Sequence, residues 1–174
     1  MKTAIVYCSK HGTTEKIAGL IADKLDGEEV SVINLDKDNG PDPEIFDRII
    51  VGGSIHEGSI QKRVKQFYTK NLQTLLRKEL GLFICYLNKE KQNEQFEHAF
   101  PQELREHSKA RGYFGGELLF ERMNFLDRWI VRIVAKKKEN VSEIDYPAID
   151  RFVADLKPLD RKESKLNENA ARQP

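Results

Sequence analysis

The sequence predicts an α/β protein: a doubly wound, five-stranded parallel sheet in the order 2-1-3-4-5, with an extra amphipathic helix after strand 5. Three observations predict it. Short apolar runs alternate with helical periods along the chain, which implies parallel strands covered on both faces. The first apolar run, Ala4-Ile5-Val6-Tyr7, leads straight into Ser9-Lys10-His11-Gly12-Thr13-Thr14 and then an amphipathic helix. The chain of 174 residues has no internal repeat and is long enough for one domain with a real core.

The elements follow in order. Lys2 to Tyr7 is a strand, and Thr14 to Leu25 a helix with Ile17, Ala18, Ile21 and Leu25 on one face. Val30 to Leu35 alternates like a second strand. Asp36 to Glu44 is a loop, because it holds Asn39-Gly40-Pro41 and Pro43. Ile49-Ile50-Val51 centre a buried third strand over Arg48 to Gly53. Gln61 to Leu76 is helical, with a break near Asn71. Gly81 to Leu87 is the fourth strand, Asn93 to Ser108 a helix disturbed at Pro101, and Gly112 to Phe120 the fifth strand. Arg122 to Lys138 is the extra helix and Tyr146 to Leu156 the closing one. The domain is expected to span 1–157. Residues 158–174 are polar, without aromatics, and read as a flexible tail.

Composition narrows the function. A formal net charge of +1 argues against a nucleic-acid binder. The two cysteines, Cys8 and Cys85, have no paired spacing, which fits a reducing compartment and no disulfide or zinc site. His98 and His107 are too far apart for metal-ligand spacing, and no metal is expected. No signal peptide is expected, and no apolar stretch approaches the roughly 18 residues that span a bilayer. These features predict a cytoplasmic protein.

In the 2-1-3-4-5 order a ligand lies beyond the carboxyl ends of the central strands, where three loops meet. The first, Ser9 to Thr14, aims backbone N–H groups and the positive end of a helix dipole at one spot. It lacks the Gly-Lys-Ser/Thr of a Walker loop and the three glycines of a dinucleotide fingerprint, so it suits a small phosphate monoester. A hydroxyl-rich helix cap is the rival reading. The second loop, Ser54-Ile55-His56-Glu57-Gly58, follows Gly52-Gly53, which read as room for backbone to approach a flat ligand. His56 reads equally as a proton donor, the one catalytic candidate, or as an exposed loop histidine. The third loop, Tyr86-Leu87-Asn88-Lys89, offers backbone groups, an amide and a cation; Tyr86 is either buried or beside the ligand.

The run Ser9-Lys10-His11-Gly12-Thr13-Thr14 resembles the phosphate signature of the flavodoxins, with His11 where a threonine is usual. The resemblance implies flavin mononucleotide (FMN) as cofactor. It places the phosphate at Ser9, His11, Gly12 and Thr14 with help from the Lys10 and Thr13 backbone. The usual aromatic clamp on the flavin is missing, since no tryptophan lies in 54–58. Gly52-Gly53-Ser54-Ile55 with Gly58, and Gly115-Gly116-Glu117-Leu118 leading to Phe125-Leu126-Asp127-Arg128-Trp129, resemble a flavodoxin-like branch, the menaquinone-dependent protoporphyrinogen dehydrogenases. That resemblance implies a small-molecule substrate, a porphyrinogen or quinone, in haem biosynthesis. Alternatives are a single-electron carrier, an FMN-dependent quinone or NAD(P)H reductase, and a flavin-free assembly domain.

The extra helix has its own two readings. At about 100° per residue, Met123, Leu126, Trp129, Ile130, Ile133 and Val134 share one side, and Arg128, Arg132 and Lys136 lie on the other. This is the pattern of a helix packed on its own core. Most such stripes pack on a core, but the pattern is also that of an interfacial helix on the inner face of a membrane or over an apolar substrate. A homo-oligomer contact is a third use for it.

Overall fold

The computed structural model describes residues 1–118 and 141–157. The helix expected over 122–138 and the tail 158–174 lie outside the described residues.

Five parallel strands form the sheet: β1 (Lys2–Tyr7), β2 (Glu29–Asn34), β3 (Arg48–His56), β5 (Glu79–Cys85) and β6 (Ala110–Tyr113). Their spatial order is β2-β1-β3-β5-β6, the expected doubly wound topology. Register carries the three site loops to one edge, since Tyr7 lies opposite Gly52 and Ser54 opposite Cys85.

Period-two alternation sends successive residues of each strand to opposite faces, and both are apolar. Ile5 and Ile50 face α1 (Thr13–Lys24) and α6 (Tyr146–Leu156), where they meet Ile17, Ile21, Leu25, Phe152 and Leu156. Ala4, Val6, Ile49 and Val51 face the opposite layer, α2 (Lys62–Lys70), α3 (Leu72–Leu75), α4 (Gln92–Ala99) and α5 (Gln102–His107), through Val64, Phe67, Leu75 and Phe96. Phe83, Phe114 and Phe152 form a three-ring cluster with centroid separations of 5.3–6.4 Å. The helix α6 starts on Asp145, whose side chain accepts the Ala148 N–H at 2.9 Å.

Four expectations are corrected. Residues 54–58 are more than a loop: β3 runs on to His56, turns at Glu57 (φ 51) and Gly58 (φ 77), and returns as β4 (Ser59–Ile60). Two successive positive φ values make a type I′ turn, whose twist suits a tight hairpin. The fourth strand of the parallel set starts at Glu79 and stops at Cys85, because the Tyr86 N–H leaves the ladder to bond the Gly115 carbonyl at 2.9 Å. The helix over 93–108 is two helices, interrupted at Phe100–Pro101, since a proline has no N–H to continue the ladder. The fifth strand ends at Tyr113. Gly115, at φ 67, turns the chain into a separate ribbon of β7 (Glu117–Leu118) and β8 (Val141–Ser142).

Candidate functional site

The first loop is built around Ser9 and Gly12. Gly12 sits in the left-handed region (φ 92, ψ −13) at the head of α1, where a β-carbon would be penalised. The Ser9 hydroxyl oxygen accepts the N–H of Gly12 at 3.1 Å and of Glu15 at 3.3 Å. Ser9 is itself held by Asp36, which accepts its N–H at 3.2 Å. Among the described residues, no hydrogen bond engages the amides of Thr13 and Thr14. Those two N–H groups open the first turn of a helix, where the dipole favours an anion. The Thr14 side chain is turned inward: it is 1% exposed and acts on the Cys85 thiol, lowering its pKa against the larger effect of burial. A phosphate here would therefore meet Thr13 and Thr14 through their amides, and a hydroxyl at Ser9. Lys10 is exposed, and His11 is partly so.

The second loop brings Ser54, Ile55, His56 and Gly58 to the same edge. The His56 ring stands edge-on to that of His11, with centroids 6.3 Å apart, so the first two loops touch. Ile55 is half-buried on the core beside Ile60. The two preceding glycines serve the interior, which corrects the reading of them as room for a ligand. A β-carbon on Gly52 would lie 2.2 Å from the Phe83 ring, and one on Gly53 would lie 2.3 Å from Gln61 Oε1.

The third loop decides the position of Tyr86. Tyr86 is buried, and its hydroxyl donates to Gln92 Oε1 at 2.5 Å. Burial and the nearby Asp145 and Glu143 carboxylates hold its phenol proton above the ordinary range. Leu87 is 49% exposed and offers the apolar surface instead. The Asn88 side chain accepts the Glu90 N–H and caps the short turn Lys89–Lys91, leaving Lys89 exposed.

Sequence reasoning missed two parts of this edge. Gln61 was read only as the start of a helix, yet its amide reaches both the Cys8 carbonyl, just ahead of the first loop, and Ser54 in the second. Lys16, on α1, pairs with Glu117 at 2.8 Å, and Ser142 donates to the same carboxylate at 2.8 Å. This ties the β7–β8 ribbon to the helix that carries the first loop. The Gly115-Gly116-Glu117 run was the available signal.

Cys8 and Cys85 are both buried, and burial is the main cause that pushes each thiol up to about 12; beside Cys8, Asp36 pushes in the same direction. At pH 8 about one such thiol in 10⁴ is ionised. A thiol-reactive disulfide added to the native protein at that pH should label neither, and should label both once urea is present. Rapid native labelling would contradict this burial. The same groups set an alkaline limit. An unfolded thiol ionises near 9, whereas the folded ones hold their protons until about 12. Over that window the unfolded chain binds fewer protons, so stability falls as pH rises.

No group of three or more histidine, cysteine or acidic side chains among the described residues could hold a metal ion. No helix among them is long and apolar enough to cross a membrane.

Comparison with known proteins follows this geometry. The family model described as a flavodoxin domain matches residues 4–145. The protoporphyrinogen IX dehydrogenase [quinone] of Escherichia coli K12 is 22% identical, with 93% of this chain and 98% of that protein aligned. Two solved structures share the fold. One is a short-chain flavodoxin associated with a non-canonical PDU bacterial microcompartment, at TM-score 0.57 and 16% identity over 90% of this chain and 96% of that one. The other is oxidised flavodoxin 1 of Bacillus cereus, at TM-score 0.51 and 19% identity over 90% and 97%.

Proposed function

The chain belongs to the flavodoxin domain family, and from that membership we propose that it is an FMN-dependent oxidoreductase that oxidises a protoporphyrinogen and passes the electrons to menaquinone. The observation that carries the cofactor is the pair of Thr13 and Thr14 amides, unengaged at the head of α1 beside the Ser9 hydroxyl. They match a phosphate monoester in charge and in donor count. The full-length similarity to a quinone-dependent protoporphyrinogen dehydrogenase supports the reaction.

The flavin, when bound, would accept hydride from the substrate and release electrons to the acceptor. The chain's own residues do the rest. Ser9, Thr13 and the amide of Thr14 hold the phosphate, with Lys10, His11 and Gly12 completing the loop. Ser54, Ile55, His56 and Gly58 on one side, and Tyr86, Leu87, Asn88 and Lys89 on the other, border the ring. With the Tyr86 ring buried and its hydroxyl on Gln92, Ile55 and Leu87 are the apolar side chains of this border, which lacks the stacking, worth about 0.5–1.5 kcal/mol, that an aromatic pair adds. His56 exchanges the proton that accompanies hydride transfer. Residues 122–138 supply contact with the membrane surface in which a lipid-soluble quinone resides, which makes the protein a peripheral one on the cytoplasmic side.

The test is anaerobic turnover by the FMN-loaded protein with protoporphyrinogen and a menaquinone analogue. Porphyrin fluorescence is expected only when the quinone is present. A rate equal to that of a protein-free control would refute the substrate.

A further inference from the structure

The turn that follows β2 reaches across to the first loop. Asn34, buried at the end of β2, shapes that turn: its side-chain oxygen accepts the Asp36 N–H at 2.9 Å, and its carbonyl accepts the N–H groups of Lys37 and Asp38 at 3.0 and 2.9 Å. The Leu35 N–H bonds the Tyr7 carbonyl at 2.8 Å, which ties the turn to the strand that leads into the loop. From this base the Asp36 carboxylate accepts the Ser9 N–H at 3.2 Å. Arg63, on α2, steadies the arrangement, with Nε 3.9 Å from Asp36 Oδ1 and Nη1 donating to the Leu35 carbonyl at 2.6 Å.

The sense of the bonds at Ser9 is fixed, because a backbone N–H only donates and a carboxylate only accepts. Ser9 Oγ accepts from two such donors, Gly12 and Glu15. A hydroxyl has two accepting positions and one hydrogen, so that hydrogen is left to give to an anion. Its aim depends on the Ser9 backbone, which Asp36 holds. Charge works the other way. A carboxylate bonded to the loop repels the phosphate that the loop would bind. Asp36 therefore has two opposed effects on the same ligand, position and charge. Glu15, in the first turn of α1, brings a second carboxylate near the same spot, but its side chain pairs with Lys37 at 3.4 Å.

We propose that Asp36 is a positioning residue of the phosphate loop, which aims the Ser9 hydroxyl through the Ser9 N–H while its own charge weakens the hold on the phosphate. The proposal rests on the phosphate reading above. The test is the ratio of FMN to riboflavin affinity, from fluorescence titration of the flavin-free full chain. Riboflavin lacks the phosphate, so its binding reports that each variant keeps its fold and ring site. Asp36→Asn removes the charge and keeps an oxygen acceptor, and its ratio should rise above the wild-type value. Asp36→Ala removes both, and its ratio should be about fivefold below that of Asp36→Asn, the effect of about one hydrogen bond. Glu15→Gln and Glu15→Ala, which remove a charge without touching Ser9, should both raise the ratio and should agree with each other. In the flavin-free protein the Ser9 amide proton should move upfield in Asp36→Ala and less so in Asp36→Asn. Equal ratios for Asp36→Asn and Asp36→Ala, or a Ser9 amide proton unmoved by Asp36→Ala, would overturn the positioning role. A ratio unchanged by Asp36→Asn would overturn the opposing role of the charge. A wild type that binds the two flavins equally would instead count against the phosphate reading itself.

Discussion

Replacing Arg48 by alanine should destabilise the protein by about 3–5 kcal/mol, the cost of removing one partner from a buried ion pair. Arg48 is fully buried at the amino end of β3, on the edge opposite the candidate site. Its guanidinium donates to both Glu28 carboxylate oxygens at 2.7 and 2.9 Å, to Glu79 at 2.9 and 3.0 Å, and to the Leu156 carbonyl at 2.7 Å. All five hydrogen bonds leave from one planar fork, which a lysine could not reproduce. The Thr3 hydroxyl adds a bond to Glu28, and Lys109 shares both Glu79 and the Leu156 carbonyl. Alanine would remove the Arg48 cation from Glu28, leave Glu79 only Lys109, and open a cavity. Arg48→Met with Glu28→Gln should recover about 1–2 kcal/mol of the loss, because the methionine stem refills the space and one uncompensated charge is removed. Urea unfolding of the single and double variants measures both. A single-variant loss below about 1 kcal/mol would mean that the network is replaceable by water, as surface pairs are.

The second large effect is expected at Gly115. Its φ of 67 is in the left-handed region, and a β-carbon there would lie 2.0 Å from the Glu143 carbonyl oxygen. Backbone must move to relieve that contact. A non-glycine residue pays about 1–2 kcal/mol for the conformation, and overpacking adds about 1–3 kcal/mol. Gly115→Ala should therefore destabilise by about 2–5 kcal/mol. Gly27 is the control: its φ is 81, yet nothing lies within 4 Å of the added carbon. Gly27→Ala should lose only the conformational part, about 1–2 kcal/mol. Equal losses at the two positions would show that the Glu143 contact gives way freely. The change at Gly115 should also reach the site, since its carbonyl accepts the Tyr86 N–H and the Gly116 carbonyl accepts that of Glu143 at 2.9 Å.

The strands and the first loop were legible because local signals carry them. Ile17, Ala18 and Ile21 repeat at helical spacing and are buried as that spacing requires. Asn71 marks the break between two helices, and Tyr146 to Leu156 matches its helix end to end. What stayed hidden depends on distant partners. Arg48 looks like a polar strand edge until Glu28, Glu79 and Leu156, separated from it by 20, 31 and 108 positions, are brought to it. The Glu57-Gly58 turn was missed because glutamate is an uncommon first residue for it, where asparagine and aspartate are the usual signals. Gly52 and Gly53 were seen as notable, but their reason lies in Phe83 and Gln61, which only the packed sheet sets above them. Thr14 was legible as a loop hydroxyl. That it is buried, on the side of Cys85, depends on how α1 packs on the sheet.

The phosphate reading of Ser9 to Thr14 meets its most direct test in a fluorescence titration of the flavin-free protein with FMN and, separately, with riboflavin. The two ligands share a ring and differ by the phosphate alone. If the amides of Thr13 and Thr14 and the Ser9 hydroxyl grip that group, FMN should bind at least about 100-fold more tightly, or about 2.7 kcal/mol, since hydrogen bonds to a charged group contribute about 1.5–3 kcal/mol each. Ser9→Ala should narrow the gap. Equal affinity for the two flavins, or binding of neither, would contradict the account.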